Sequence, residues 1–162
     1  MSRAVAGAEI RVAESDLTNP AHADALVAII DSYARGPEGQ NAPISEIARR
    51  NLAQGLRAHP MATVLFAFVD AEPVGAAVCV WSFSTFAGKP LVNIHDLAVL
   101  PEFRGRGAGH ALLAEVERRA RERDCCKITL EVNGVNEGAQ RLYRSVGFGP
   151  WDDPTLFVAK KL

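Results

Sequence analysis

The chain has 162 residues, of which 48 % are hydrophobic and 23 % charged. That is about one domain's length, with enough apolar side chain to build a core, and it argues against global disorder. Eighteen Lys and Arg face nineteen Asp and Glu for a formal charge of −1, so no basic surplus exists to neutralise a nucleic-acid backbone, and any anion must be met by a local site.

Residues 8–13 read as a short strand. Asn19 followed by Pro20 is a helix cap followed by the residue favoured in the first turn. His22, Leu26, Ile29, Ile30 and Tyr33 then recur at helical spacing until Arg35-Gly36-Pro37 stops the pattern. GPEGQNAP is a loop. Ile44, Ile47, Ala48, Asn51, Leu52 and Leu56 predict a second helix, closed by His59-Pro60 because a residue before proline avoids the helical region. TVLFAFVD, a turn at residues 70–73, and VGAAVCVWSFSTF predict a hairpin rich in β-branched and aromatic residues. LVNIHDLAVL has apolar residues on both faces, as a covered central strand requires, and ends at Pro101.

Gly109, Leu112, Leu113, Val116 and Ala120 place an apolar stripe on a third helix, whose Glu115/Arg119, Glu117/Arg121 and Arg118/Glu122 pairs suit a solvated face. KITLEV predicts a buried strand. Asn136 caps a further helix presenting Ala139, Leu142, Tyr143 and Val146, ended by Gly147, and TLFVAKKL is expected to close the chain as a strand. The expected architecture is a single domain over residues 1–162, of the α/β class in its α+β form. It has a mixed, mostly antiparallel central sheet of six to seven strands flanked by about four helices.

Cys79, Cys125 and Cys126 are an odd count with two adjacent, which argues against a disulfide framework and for reduced, partly buried thiols in a cytoplasmic protein. No CxxC occurs and His22, His59, His95 and His110 are far apart, so no metal site is expected. The first residues lack the apolar core of a secretory leader, and no run of 18 apolar residues suggests a membrane span.

The densest chemical signal is Arg104-Gly105-Arg106-Gly107-Ala108-Gly109, between a strand and a helix. Closely spaced glycines expose successive backbone N–H groups, a helix N-terminus adds about half a positive charge, and arginines add charge-assisted hydrogen bonds. Together they suit a diphosphate. A Walker loop would need GK[ST], but His110 follows Gly109, and a dinucleotide fingerprint would need a glycine where His110 stands.

The RxxGxG pattern formed by Arg104, Gly107 and Gly109 resembles that of the GNAT acetyltransferase superfamily. LEVNGVNEGAQRLYRSVGF extends the resemblance through Asn136, Ala139, Leu142, Tyr143, Gly147 and Phe148. Residues 92–149 carry it, while the first 60 match only in element order. The resemblance implies a GNAT-like domain using acetyl-CoA as acyl donor to acetylate a primary amine of a small molecule, polyamine-like, or of a peptide, in a ternary complex. It implies that Leu97, Ala98 and Val99 pair with the pantetheine arm, that Arg104, Gly105, Arg106, Gly107, Ala108 and Gly109 hold the pyrophosphate, and that Asn136 and Tyr143 complete the cofactor wall.

Tyr143, seven residues after Asn136 on one helix face, would be the general acid for the departing thiolate. A strand N–H near Leu97 or Val99 would stabilise the oxyanion. His95 and Asp96 are the candidate bases. Strand alternation is expected to set them on opposite faces, with His95 beside Leu97 and Val99. The resemblance implies an acceptor pocket between the first two helices, the hairpin and the last strands, which here offers Tyr33, Glu38, Trp81, Phe83, Phe86, Trp151, Asp152 and Asp153; aromatics and acids suit a cationic amine, while WSFSTF reads chiefly as core strand and Asp152-Asp153-Pro154 chiefly as a turn. A homodimer paired through TLFVA follows by analogy. An acyl-CoA-binding sensor without turnover, or a transferase of another acyl group, are the competing readings.

Overall fold

The computed structural model describes residues 9–152 and 156–162. Strand β1 (Ile10–Glu14) leads into α1 (Pro20–Arg35) and α2 (Glu46–Ala58). The hairpin β2 (Ala62–Val69) and β3 (Glu72–Ser84) follows, then β4 (Lys89–Val99) and a 3₁₀ turn (Pro101–Phe103). The chain continues with α3 (Ala108–Glu122), β5 (Ile128–Leu130) and α4 (Glu137–Ser145). The caps expected from the sequence form. Asn19 Oδ1 accepts from the Ala21 N–H at 3.0 Å, and Asn136 Oδ1 accepts from the Ala139 N–H at 3.0 Å.

The five strands make one sheet in the order β1-β2-β3-β4-β5, antiparallel except for the parallel β4–β5 pair. Its two faces bury two apolar layers. Leu65, Cys79, Val92 and Ile94 meet Leu112, Leu113 and Val116 of α3, while Val64, Phe66, Val78 and Ala98 meet Leu26 and Ile29 of α1. This is why β2, β3 and β4 carry apolar residues of both parities. On α3 the opposite face carries ion pairs, including Arg119 with Glu115 at 2.8 Å and Arg121 with Glu117 at 2.6 Å.

Two expectations are corrected. The sheet has five strands among the described residues rather than six to seven. Residues 156–162 of TLFVAKKL form no strand, with Leu156, Phe157 and Val158 exposed; Thr155 lies outside the described residues. The physical reason is the short outer edge: only Ile128–Leu130 of KITLEV is strand, too little ladder to seat another strand. The second correction concerns β4. Cys79 pairs with Ile94 but Val78 pairs with Asp96, so His95 is an extra residue, a β-bulge. The bulge switches the parity of the strand. Ile94, not His95, shares the α3 face with Leu97 and Val99, and Asp96 falls with Ala98 on the α1 face.

Leu112 is fully buried between α3 and the sheet, so Leu112→Ala is expected to cost roughly 2–5 kcal/mol in urea unfolding. Cys79 is buried in β3 and its thiol is pushed up to about 12 by burial, whereas Cys126 is exposed. Timed iodoacetamide labelling read by mass spectrometry should therefore modify Cys126 in the native protein and Cys79 only after unfolding.

Candidate active site

β4 and β5 pair over three residues only: Val92 with Ile128, Asn93 with Thr129 and Ile94 with Leu130. The Asn93 amide reinforces this contact by donating to Thr129 Oγ1 at 3.0 Å. Beyond Ile94 the bulge begins and β5 ends, so β4 keeps β3 on one side and has no strand on the other. An unpaired strand edge presents backbone donors and acceptors at alternate residues. Here that edge opens into a cleft of about 590 Å³.

The start of α3 lies in the same cleft. Gly107 is its N-cap at φ 93° with no side-chain cap, and Gly105 has φ 70°, conformations that a side chain strongly disfavours. The N–H groups of Ala108, Gly109 and His110 therefore stand as first-turn donors without a side-chain acceptor. A Cβ on Gly109 would lie 2.9 Å from Leu142 Cδ2, so this glycine lets α3 and α4 approach while leaving the passage between them open. Arg104 is anchored at the rim by donating from Nε to the Val99 carbonyl at 3.0 Å. The opposite wall of the cleft is α4, through Asn136, Leu142 and Tyr143.

Of the residues singled out from sequence, Leu97, Ala98, Val99, Arg104, Gly105, Gly107, Ala108, Gly109, Asn136 and Tyr143 all line this cleft. Arg106 does not. It is exposed, with its guanidinium 5.6 Å from the centre of the Phe103 ring. Asn136 caps α4 with its side-chain oxygen, which ties its position to the helix start. His95 and Asp96 lie in a smaller adjoining cavity with Glu131, and the two cavities meet at Tyr33, Leu97, Asn136 and Tyr143.

Charge in this junction follows burial. Tyr143 is 6 % exposed and its phenol is pushed up to about 12, chiefly by burial and secondarily by Tyr33. Asp96 is half-buried, and burial raises its carboxyl above the ordinary range, opposed in part by the nearby His95. Tyr33 is raised by burial and then by the charges of Asp96 and Glu38.

Of the acceptor-pocket candidates, Tyr33 and Glu38 line the cleft. Trp81 is core, its indole donating to Thr63 Oγ1 at 2.9 Å and its ring covered by Arg123. Phe83 and Phe86 are exposed at the far end of the β3–β4 hairpin. Trp151 packs under Arg144, Asp152 is exposed, and Asp153 lies outside the described residues. Phe103, His110, Gly138 and Arg141 also line the cleft and carry no site signal in the local sequence pattern. Phe103 could have been found as the one aromatic between the central strand and the glycine loop. Arg141 looks like any exposed helix arginine. Among the described residues no three His, Cys, Asp or Glu side chains gather as metal ligands, and no helix is long and apolar enough to cross a membrane.

Residues 24–148 match the Acetyltransferase (GNAT) family. An uncharacterized N-acetyltransferase of Archaeoglobus fulgidus is 41 % identical over 83 residues, which are 51 % of this chain and 56 % of that protein. The thialysine N-epsilon-acetyltransferase of Bos taurus is 32 % identical over 74 residues, 46 % of this chain and 43 % of that one. In both cases the match spans less than two thirds of the relative. The fold superposes on the structure of AAC(6')-Iy in complex with the bisubstrate analogue CoA-S-monomethyl-acetylneamine with a TM-score of 0.75 and 18 % identity, covering 95 % of this chain and 99 % of that one. With the family match extending over most of its length, from α1 to the exit of α4, the chain belongs to the GNAT acetyltransferase family.

Proposed function

We propose that the protein transfers an acetyl group from acetyl-CoA to the primary amine of a small molecule, polyamine-like, or of a peptide, by direct attack in a ternary complex. The observation that carries this reading is one cleft in which the unpaired edge of β4 meets the side-chain-free first turn of α3. Two kinds of surface thus suit two parts of one ligand. The strand edge along Leu97, Ala98 and Val99 can accept the amides of an extended pantetheine as it would another strand. The first-turn N–H groups of α3, its positive end and Arg104 suit the diphosphate. The CoA-containing analogue held by the solved relative and the amine named for the bovine relative support the same donor and acceptor classes.

Acetyl-CoA, when bound, supplies the acyl group as a thioester whose sulfur leaves as a thiolate. Tyr143 donates its proton to that sulfur. A phenol is protonated at neutral pH at its ordinary value of about 10 as well as at the higher value burial gives it, and Tyr143 stands where the two cavities meet, so position rather than the shift supports the role. Backbone N–H groups of the β4 edge orient the thioester carbonyl and stabilise the negative charge that grows on its oxygen. Asp96 takes the ammonium proton of the acceptor. Burial makes its carboxylate the stronger proton acceptor, and the bulge turns it toward α1 and Tyr33. His95, exposed beside it, passes the proton to solvent. This division supports Asp96 over His95 as the primary base.

A cytoplasmic setting, where thiols stay reduced, accompanies the reading. Pairing of two copies through the exposed Leu156, Phe157 and Val158 is the corresponding proposal for assembly, checked by sedimentation.

Release of CoA thiol on mixing acetyl-CoA with a panel of polyamines, amino acids and peptide N-termini tests the reaction. Binding of acetyl-CoA without release for any amine would favour a sensor. Tyr143→Phe is expected to lower kcat about 10²-fold while calorimetry shows acetyl-CoA affinity within about twofold. Asp96→Asn is expected to lower kcat/KM and also to change the pH dependence of stability. A carboxyl raised above its ordinary 3.8 on folding favours the folded state only while protonated, so its contribution is present below 3.8 and is lost as pH rises through the folded value. Urea unfolding should therefore show the Asn variant gaining on the parent as pH rises above 3.8 and through the folded value; a gain toward acid would remove burial as the cause.

A further inference from the structure

We propose that Cys125 and Cys126 form a dithiol site that captures a trivalent organoarsenical, the two sulfurs chelating arsenic while its apolar substituent lies in the groove beside them. The site shares no residue with the cleft along the β4 edge and stands independently of the acyl-transfer reading.

The two cysteines follow α3 and precede β5. On an extended strand neighbouring side chains point apart, but the chain bends at Cys126, and both residues line one groove of about 450 Å³. Neither sulfur is in a disulfide. Four successive residues hold this turn, each to a different partner. The Arg123 guanidinium lies 3.8 Å from the centre of the Trp81 ring, and Asp124 pairs with Lys89 at 3.0 Å. The Cys125 N–H donates to the Ala120 carbonyl at 2.9 Å, and the Cys126 N–H donates to the Pro90 carbonyl at 2.8 Å. The dithiol is thus carried by a backbone fixed to α3, β3 and β4, and a bidentate ligand finds its two donors already in place.

The same fixation selects what the pair can do. The Cys125–Cys126 peptide is trans, so its Cα atoms are about 3.8 Å apart, inside the ~4.4 Å at which unstrained disulfides begin. Direct closure of a sulfur–sulfur bond would have to displace one of the two anchored N–H groups. An atom placed between the sulfurs enlarges the ring and removes that demand. It must be soft to prefer thiolates, and it must hold two sulfurs of adjacent residues at a narrow angle, which excludes a linear two-coordinate ion. Pyramidal trivalent arsenic meets both conditions and keeps a third valence.

The groove indicates what that third valence carries. Its apolar lining comes from Leu113, Ile128, Val146 and Phe148, whereas Glu117 and Arg121 pair with each other at 2.6 Å and Lys127 is exposed. An aryl group is better covered there than a hydroxyl. Capture is stepwise. Cys126 is exposed and reacts first; burial raises the Cys125 thiol, which closes the chelate as an intramolecular step. With phenylarsine oxide the arsenic–oxygen double bond is replaced by two arsenic–sulfur bonds, and both thiol protons leave with the oxygen as one water. Arsenic stays trivalent, so no oxidant is consumed.

The test adds phenylarsine oxide to the native protein and follows it by thiol titration and mass spectrometry. The expected result is one arsenic per chain and loss of the Cys125 and Cys126 thiols only, reversed by the dithiol 2,3-dimercaptopropanol but not by the monothiol 2-mercaptoethanol. Cys125→Ser and Cys126→Ser should each weaken the adduct at least about 10²-fold. Phenylarsine oxide is expected to bind at least about tenfold tighter than methylarsonous acid, a preference that falls to near parity in Val146→Ser. Val146 is 36 % exposed, and protection of Cys79 from iodoacetamide reports that the variant is folded; the stoichiometry and the phenyl preference of the parent decide the matter without it. Consumption of a single thiol, release by 2-mercaptoethanol, equal affinity for the two arsenicals, a phenyl preference unchanged in folded Val146→Ser, or an unchanged adduct in either serine variant overturns the inference. So does ready closure of a Cys125–Cys126 disulfide by glutathione disulfide in the folded protein, since a turn held at both N–H groups would not close one.

Discussion

The extra residue in β4 is the constraint from which the site follows. With three ladder positions shared with β5 and a bulge at His95 immediately after them, β4 cannot continue in register with its parallel neighbour. The strand must still lie in the middle of the molecule, because its two faces are needed by two apolar layers. It therefore runs on with one edge paired to β3 and the other open. Buried backbone groups are rarely left without partners. An open edge flanked by the starts of two helices is a place where polar ligand atoms can complete the pairing.

The same bulge divides the side chains of one strand between the two helical layers. Without it Asp96 would share a face with Ile94 and be packed under α3. With it Leu97 and Val99 stay on the α3 face while Asp96 turns toward α1. In the proposed reaction the donor is handled by α3, α4 and the strand edge, and the acceptor by α1 and its loop. The two meet at Tyr33 and Tyr143, which line both cavities. A net charge of −1 is consistent with this arrangement. In that proposal the donor end would draw on helix-terminal N–H groups and Arg104, and the acceptor end on carboxylates, so opposite local fields would sit in a chain that is nearly neutral.

Rigidity is distributed to match. Asp31 and Gly39 hold the loop between α1 and α2, one by a buried ion-pair network and the other by leaving no side chain where the loop crosses α1. Around the donor end, Asn136 caps α4 and Arg104 is fixed to the Val99 carbonyl. Preorganised groups lose less freedom when a ligand arrives, which is where binding affinity is otherwise lost.

Local signals determined much of this molecule. Caps at Asn19 and Asn136, the stop at residues 35–37, and the two-sided apolar strands mark elements whose causes lie within a few residues, and they form as the sequence reads. So does the glycine loop between Arg104 and Gly109, because positive φ and exposed N–H groups follow from glycine itself. What only the tertiary structure decided depends on partners distant in sequence. IHDLAV contains no glycine or proline to announce a bulge, so simple alternation sets His95 on the face that Ile94 occupies in the fold. Trp81 and Phe83 carry the same aromatic signal within WSFSTF, and only the tertiary structure places one in the core and the other at the hairpin end. TLFVAKKL has the pattern of a strand, but a strand exists only where a neighbour offers an edge, and β5 is three residues long. Asp31, a single acid in a helix, acquires its meaning from Ile44 and Arg49, which only folding brings to it. Helix caps and glycine turns are encoded locally; strand register, ladder partners and buried ion pairs are encoded by contacts across the fold.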